Sequence, residues 1–508
     1  MHIVLFAVFS IGLFLIATEA FNRLNKAAVA MFAGVCCWML YIAYGTDFVT
    51  QQHGAEYLSF LQQETVQHTA RTIKTFIAEH VFLRYAAEMA GVVLFLLATT
   101  TIVEVLSGNG CFDFAQEWLK TRKPKKLLWK LAALAFLLSA NLDNLVTVVL
   151  LFSIVHPLLQ TDRLRRIYCT VIVLAANCGG AITAIGDITT LRLWTAGLIV
   201  PTDFFASLCL PTIAALGVML LLLHRGLPHR IEFAQTRLPY RGDDTVLNRT
   251  QRLLMLLVGV GGLWFIPTFH RITQLPPFVG ALCVLGLLWI VDELCNRQLL
   301  GSDRMTSRRL PLALQYANLQ QLLFFVGLTL MFGALVETGL PATVLSWGVP
   351  GLDNPYVVAL CSTFGSAFFG TVPTVVGNAV ICSSPTLPAW SQLAAFAPGS
   401  EFWPMLSYGA AMGGSLLATG TVAGLLLMRM EEVTFGWYLR HITPKVAAGF
   451  AAGGLVWALQ LFFLQLNVFD KPKDPRELAH LGLARKRTFK KGFNLHIQTL
   501  TDYGKNQM

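Results

Sequence analysis

The sequence predicts an all-α polytopic membrane protein. Of its 508 residues, 55% are hydrophobic and only 13% are charged. Runs of mainly apolar residues recur that are long enough to cross roughly 30 Å of hydrocarbon as helices. Examples are 3–18, 27–44, 203–223, 275–291, 319–336 and 445–466. So many apolar runs cannot share one water-soluble core, and we count about ten spanning helices.

The distribution of charge orients these helices in the membrane. The net charge is +10, and Lys and Arg concentrate in the short loops 120–126, 161–166, 225–252 and 296–309. This is the positive-inside pattern, which predicts that these loops face the cytoplasm and argues against nucleic acid as a partner. The segment 46–85 holds more acids than bases and fits the opposite side.

The two ends of the chain carry different signals. The first twenty residues lack a basic start, and Glu19 interrupts the cleavage site that a signal peptide would need, so we expect a retained first helix. Counting spans places the C-terminus outside, whereas the tail is basic. The side of the tail therefore stays open.

Two apolar segments are too interrupted to cross the membrane simply. The first, 128–156, holds SANLDN, and the second, 354–388, holds GSAFFGTVPTVVGNAV. Such breaks fit re-entrant hairpins, whose open backbone must face protein or water. Each hairpin is followed by an apolar run with a glycine-rich interruption, NCGGAITAIGDITT at 177–190 and AMGGSLLATGTVAG at 411–424.

These interrupted pieces form an internal repeat. The second copy follows the first by about 230 residues. The aligned pairs are Ser139 with Ser366, Asp143-Asn144 with Gly370-Thr371, Gly179-Gly180 with Gly413-Gly414, Gly186 with Gly420, and Asp187 with Thr421. If the basic loops lie inside, the two hairpins enter from opposite sides, which makes the repeat inverted.

The repeat divides the chain into five parts. They are the N-terminal spans with a periplasmic loop (1–127), the first repeat core (128–224), a cytoplasmic loop with linking spans (225–353), the second repeat core (354–466) and the basic C-terminal tail (467–508). Segments interrupted at corresponding places are typical of an inverted-repeat transporter with its binding site at the breaks. The alternative is that the glycines only permit close helix packing.

Asp143 and Asp187 lie at the two breaks of the first half, where they would meet. Burial favours the neutral form of a carboxyl group, so such a group holds either a proton or a metal cation. The candidate cation- and proton-binding residues are Asp143, Asn144, Thr147, Asn177, Gly179, Gly180, Thr183, Asp187, Thr189 and Thr190; their second-repeat counterparts are Ser366, Gly370, Thr371, Gly413, Gly414, Ser415, Gly420 and Thr421. Competition for this site predicts a cation/proton antiporter. The alternative role for both acids is helix capping.

Other charged residues are auxiliary candidates. Glu19, Glu88 and Glu104 lie in or at the ends of apolar runs. Arg192 follows Asp187 by five residues and either pairs with an acid of the site or reaches the membrane interface. An ion pair within the site would weaken the case for a cation site.

Several motifs together resemble the NhaD-type sodium/proton antiporters of the ion transporter superfamily. They are LSANLDNLVTVV, ANCGGAITAIGDITTLRLW, LLFFVGLTL and FWPMLSYGAAMGGSLLATGTVAGLLLMRMEEVTFGWYL. The resemblance covers nearly the whole chain. It implies a multi-pass exchanger of Na⁺ or Li⁺ for protons in the bacterial inner membrane, working by alternating access as a homodimer, with no cofactor and no metal beyond the transported ion.

The sequence departs from this family in its second half. The family's second Asp-Asn pair is replaced by Gly370 and Thr371, and Arg192 stands where a Met is expected. Two other functions stay open: transport of another solute such as an organic anion, since related branches carry dicarboxylates, and a non-transporting sensor or assembly subunit. An enzyme is not predicted, because no nucleophile–base spacing, phosphate loop or CxxC set is present in the sequence.

Overall fold

A computed structural model describes residues 2–22, 24–64, 67–119, 121, 123–159, 161–227, 247–295, 312–346, 351, 354–383 and 394–465. The main helices are α1 (His2–Ala17), α2 (Lys26–Ala43), α3 (Ala70–Gly108), α4 (Pro124–Ser139), α5 (Asn144–Leu158), α6 (Asp162–Gly180), α7 (Ile188–Thr195), α8 (Pro201–His224), α9 (Arg249–Thr273), α10 (Pro277–Cys295), α11 (Leu312–Glu337), α12 (Pro355–Phe369), α13 (Thr371–Ser383), α14 (Phe402–Leu416), α15 (Val422–Met430) and α16 (Thr443–Gln465). Shorter helices connect them, among them Gly45–Gln52 and Gly54–Gln63.

The helices confirm the predicted class of an all-α polytopic membrane protein. Among the described residues, 7 helices are long and apolar enough to span a membrane, and they lie in α2, α3, α8, α9, α10, α11 and α16. Four further apolar helices are shorter: His2–Ala17, Asn144–His156, Pro355–Phe369 and Thr371–Cys382. Three of these four belong to the two segments that the sequence predicted as hairpins in addition to the ten expected spans.

The two breaks of the first half are fixed by helix caps. α4 ends at Ser139, and α5 begins after Asp143, whose carboxylate accepts the backbone N–H of Leu145 at 2.9 Å. α6 ends at Gly180, and α7 begins after Asp187, which forms a capping box with Thr190. A side-chain acceptor at these positions satisfies N–H groups that helix ends leave free.

The second half repeats this pattern with other residues. α12 and α13 are joined at Gly370, whose φ of +101° favours glycine. α14 ends at Leu416, and α15 begins after Thr421, whose hydroxyl accepts the N–H of Gly424 at 2.9 Å. The hairpin and the broken helix of each repeat therefore fall where the aligned sequences place them.

The two broken helices run in opposite directions. At one end, Arg165 near the start of α6 donates to the Glu431 carboxylate, just after α15, at 2.5 Å. At the other end, the N–H of Gly399, which precedes α14, donates to the carbonyl of Leu198, which follows α7, at 2.8 Å. The start of each broken helix thus lies beside the end of the other, which is the arrangement that an inverted repeat requires.

Helices of the N-terminal and middle segments pack against these cores. α11 lies along α2, and a Cβ added at Gly34 would come within 2.8 Å of the Gly327 carbonyl. Small residues at such a contact let two helix backbones approach closely in a membrane. The same helix also contacts α5 and α13, so it adjoins both hairpins.

The chain divides into a unit formed by 1–454 and a unit formed by 455–508. The second unit is described only to residue 465, where it forms the end of α16. The predicted basic tail, the loop 296–309 and most of 225–252 lie outside the described residues. The division into five parts and the side of the tail stay predictions.

Candidate functional site

The breaks of both repeats meet around one small cavity. Its volume is about 30 Å³, enough for a water molecule or a small cation. The polar residues in its wall are Asn144, Asn177, Asp187, Thr189, Gln321, Thr371, Ser407 and Thr421. Six of these eight are sequence-predicted site residues of the first or second repeat: Asn144, Asn177, Asp187, Thr189, Thr371 and Thr421.

Asp143 is buried beside this cavity, with 6% of its surface exposed. One carboxylate oxygen accepts the Leu145 N–H, and the other accepts the side-chain amide of Gln321 at 3.2 Å. Its carboxyl group is also close enough to that of Asp187 for the two to interact electrostatically. The structure therefore brings together the two acids that the sequence assigned to one site.

Asp187 faces the cavity from the start of α7. Its carboxylate accepts the hydroxyl of Thr189 and, at 3.4 Å, the backbone N–H of the same residue. Both acids are thus helix caps, as the capping alternative predicted. Each carboxylate nevertheless retains lone pairs, because a cap occupies only part of its acceptor capacity.

Neutral side chains with amide oxygens line the same cavity. The side-chain oxygen of Asn144 accepts the Ser139 hydroxyl, and the amide nitrogen of Asn177 donates to Ser415 at 3.0 Å. The Asn177 bond crosses from the first repeat to the second and leaves its side-chain oxygen available. Amide and carboxylate oxygens suit small hard cations.

Thr147 is fully buried on α5, one turn after Asn144. Its hydroxyl has no hydrogen-bond partner among the described residues. A buried polar group without a partner is rare and points to a bound water or ion.

The glycines at the breaks are required by close contacts. A Cβ at Gly180 would overlap the side-chain oxygen of Asn144, and one at Gly413 would overlap the carbonyl of Thr363. The packing alternative is therefore correct for these positions. In the first repeat the same close approach places the hairpin tip against the helix break. The glycines therefore serve both the helix packing and the geometry of the candidate site.

The second repeat contributes no carboxylate at the aligned positions. The N–H of Thr371 donates to the carbonyl of Gly420 at 3.0 Å, which ties the hairpin to the break. In the first repeat Thr183 makes a corresponding tie by donating to the carbonyl of Ala140 at 2.6 Å. Ser366 donates within the second repeat to Ala410 at 2.9 Å. The site is thus built alike in both halves but charged in only one.

The auxiliary residues lie apart from the two acids. Arg192 has 2% of its side chain exposed and pairs with Glu88 at 2.6 Å. Glu19 pairs with Arg429 at 3.1 Å. Glu104 does not line the cavity. Because the described part of the chain places no cation in an ion pair with Asp143 or Asp187, the objection raised by Arg192 falls away.

Sequence reasoning missed Gln321 and Ser407. Gln321 lies on α11, outside both repeat cores, and its only signal is a polar residue within an apolar run. Ser407 lies on α14 and donates to the carbonyl of Ala181 at 3.4 Å, across the two repeats.

Antiparallel broken helices, hairpins and a buried polar cavity define a membrane transporter rather than an enzyme. Residues 13–399 match the citrate transporter family (CitMHS), and the chain belongs to this family.

Several similar proteins are named as sodium/proton antiporters. The chain is 33% identical over 374 residues to sodium/proton antiporter 1 of Arabidopsis thaliana, which covers 72% of this chain but only 61% of that protein. It is 30% identical over 447 residues to sodium/proton antiporter 2 of the same plant, and the match covers 88% of this chain and 96% of that protein. It is 28% identical over 415 residues to the Na(+)/H(+) antiporter NhaD of Vibrio parahaemolyticus, and the match covers 76% of this chain and 92% of that protein. The resemblance to NhaD-type antiporters is confirmed.

Proposed function

We propose that this protein exchanges Na⁺ or Li⁺ for protons by alternating access. The observation that carries the proposal is the pair of carboxyl groups of the buried Asp143 and the half-buried Asp187, which interact with each other and lack an ion-pair partner among the described residues. The names of the relatives, sodium/proton antiporters from a plant and from bacteria, support it.

Coupling follows from electrostatics. Two carboxylates without a counter-charge are costly in a low-dielectric site, so each must be neutralised by a proton or by a metal cation. A cation held between Asp143 and Asp187 takes the place of protons there, and protons take the place of the cation. The site must release its protons before it accepts the cation, and it must release the cation before it accepts protons. Exposing the site alternately to the two sides of the membrane therefore exchanges the cation for protons.

The surrounding groups complete the cation's shell. We assign as neutral ligands the side-chain oxygens of Asn144 and Asn177, which line the cavity, and the buried hydroxyl of Thr147 one turn into α5. The ends of α4, α6, α12 and α14 add backbone carbonyls that no further helical turn uses. A small cation therefore replaces its water shell with protein oxygens.

The test separates the charge of the acids from their role as caps. Asn caps helices about as well as Asp, so Asp143→Asn and Asp187→Asn keep the helix starts and remove only the charge. We expect wild-type proteoliposomes to dissipate an imposed ΔpH on addition of Na⁺ or Li⁺, and both variants to lose this response. Asp203→Asn, which changes an exposed acid at the start of α8, is the matched control. Full activity in both site variants contradicts the proposal.

Transport of an organic anion is the second candidate, because the matching family is described as citrate transporters. A bare anion would be repelled by Asp143 and Asp187, and the buried Arg192 is already paired with Glu88. An anion would therefore need an accompanying cation at this site. Uptake of radiolabelled citrate into the same proteoliposomes, with and without Na⁺, distinguishes the two functions.

The location and assembly of the protein are part of the proposal. The NhaD relatives are bacterial, which supports the inner membrane of a bacterium, and we keep the predicted homodimer. Membrane fractionation and light scattering of the purified protein test these two statements.

A further inference from the structure

One side-chain hydrogen bond joins the two repeats beside the cavity. Asn177, near the end of α6, donates its side-chain amide to the hydroxyl of Ser415, near the end of α14, at 3.0 Å. Both residues are buried. Asn177 lines the cavity, whereas Ser415 does not. Ser415 therefore reaches the cavity through the amide of Asn177.

This contact is polar in only one of its two repeat-related copies. In the aligned repeats Asn177 matches Ala411, and Ser415 matches Ala181. The contact related by the repeat would therefore join Ala411 to Ala181, and both of these residues line the cavity. Small apolar residues serve close helix packing at such a crossing. The fold therefore does not require a polar pair, and the polar pair occurs in the repeat that carries the two acids.

The bonds of Ser415 decide which way the amide of Asn177 faces. A serine hydroxyl has one proton, and Ser415 donates it to the carbonyl of Ala411 at 2.8 Å. Towards Asn177 the hydroxyl can then only accept, so the amide must present its NH₂ group there. The side-chain oxygen of Asn177 is directed away from Ser415 and accepts no hydrogen bond within the described residues. A neutral oxygen with free lone pairs at the wall of the cavity suits a small hard cation.

The backbone of Ser415 is itself held in place. The hydroxyl of Tyr438, in the helix Phe435–His441, donates to the carbonyl of Ser415 at 2.8 Å. The hydroxyl of Thr443 donates to the next carbonyl, that of Leu416, at 2.6 Å. Both bonds satisfy carbonyls that the end of α14 leaves free. The last turn of α14 is thus fixed where its serine meets Asn177.

We propose that Ser415 is a positioning residue of the cation site: it keeps the side-chain oxygen of Asn177 directed at the cation. The reversed amide would turn two N–H donors towards the cavity, where they repel a cation and bond the carboxylates that should bind it. The second repeat, which has no carboxylate at the aligned positions, thus orients a ligand of the first. This proposal rests on the proposed cation exchange.

The first test measures Na⁺ binding to the purified protein by isothermal titration calorimetry, which requires no transport. Ser415→Ala removes the acceptor with little change in volume and leaves the buried NH₂ group of Asn177 without its partner. We expect the Kd for Na⁺ to rise about tenfold, because an unpaired buried donor is costly and the amide turns to find another acceptor.

Ser362→Ala is the matched control for this variant. Ser362 also lies in the second repeat, where its hydroxyl accepts the side-chain amide of Asn378 at 3.1 Å. The change therefore removes the same kind of bond, but neither Ser362 nor Asn378 lines the cavity. We expect the Kd for Na⁺ to stay unchanged.

The second test asks whether Ser415 acts through Asn177. Asn177→Ala removes the ligand itself, so adding Ser415→Ala to that variant should raise the Kd no further. In exchange assays, Ser415→Ala should raise the half-saturating Na⁺ concentration about tenfold and leave the maximal rate near that of the wild type. The rise should persist at alkaline pH, where protons no longer compete, because an amide does not titrate. A merely structural serine would change stability or the maximal rate instead.

Ser415→Cys keeps the size of the side chain but offers only a weak acceptor, so it carries the test if Ser415→Ala does not fold. An unchanged Kd in the folded variant, an equal rise in Ser362→Ala, or a full further rise in the Asn177→Ala background overturns the role of Ser415. Wild-type protein that binds Na⁺ without exchanging it for protons overturns the exchange function instead, while the positioning of Asn177 stands. Protein that binds neither Na⁺ nor Li⁺ overturns both proposals.

Discussion

Replacing Gln321 by Met tests whether the bond from α11 tunes the cation site. Gln321 donates its side-chain amide to a carboxylate oxygen of Asp143 at 3.2 Å, and it lines the cavity. Met has nearly the same length and flexibility but no donor. The change therefore removes one hydrogen bond to Asp143 with little change in packed volume.

The size of the effect follows from that bond. A hydrogen bond to a charged group contributes about 1.5–3 kcal/mol, and the length of this one favours the lower end. The bond favours the ionised form of Asp143. Losing about 1.5 kcal/mol changes the competition between protons and cations about tenfold, since 1.4 kcal/mol corresponds to a factor of ten.

Protons should compete better in the Gln321→Met variant. We expect the Na⁺ concentration for half-maximal exchange at a fixed pH to rise about tenfold. We also expect the pH profile of exchange to move about one unit towards higher pH. Gln320→Met, at the preceding and partly exposed position, is the control and should leave both quantities unchanged. If Gln321→Met also leaves both unchanged, Asp143 does not bind the cation in the arrangement described.

Two other predictions concern ion pairs outside the site that have at least one buried partner. Glu88→Gln leaves the buried Arg192 without its counter-charge and should cost about 3 kcal/mol of stability. Arg192→Met removes the buried charge itself and should cost less than about 1 kcal/mol. Thermal unfolding of both variants in detergent compares the two losses, and equal losses contradict this account. Burial lowers the pKa of His53, but hydrogen bonds to Glu337 and Glu56 outweigh burial and raise it. Stability from the charged imidazole is therefore full below about pH 6.5 and is lost as the pH rises through the raised pKa. His53→Gln should accordingly lower the unfolding temperature more at pH 6 than at pH 9, and an equal loss at both would contradict the sign.

Much of the fold could be predicted because the bilayer restricts it. The apolar run 203–223 became the helix Pro201–His224, and the run 319–336 became the span Leu319–Glu337. The breaks were predictable for a local reason: Asp143 and Asp187 each cap the helix that follows. Aligning the two repeats then located both hairpins and both broken helices.

The missed features all depend on pairing between distant parts of the chain. Arg192 lies 104 residues from Glu88, and Gln321 lies 178 residues from Asp143. The cluster of His53, Arg84 and Tyr85 around the buried Glu337 likewise joins the loop 46–85 to the end of α11. Spacing carries no signal for such contacts, because they form only when helices pack. A polar residue in an apolar run was a hint in each case, without indicating its partner.

The asymmetry of the site distinguishes the residues that the fold requires from those that the proposed exchange requires. Gly370 and Thr371 keep the hairpin turn and the tie to Gly420 without the acid that the family resemblance led us to expect there. The break therefore depends on close backbone contacts, and its geometry tolerates the loss of charge. The number of protons exchanged depends instead on the titratable groups that face the cavity. With carboxyl groups from one repeat only, the proposed exchange is limited to the protons that Asp143 and Asp187 can carry.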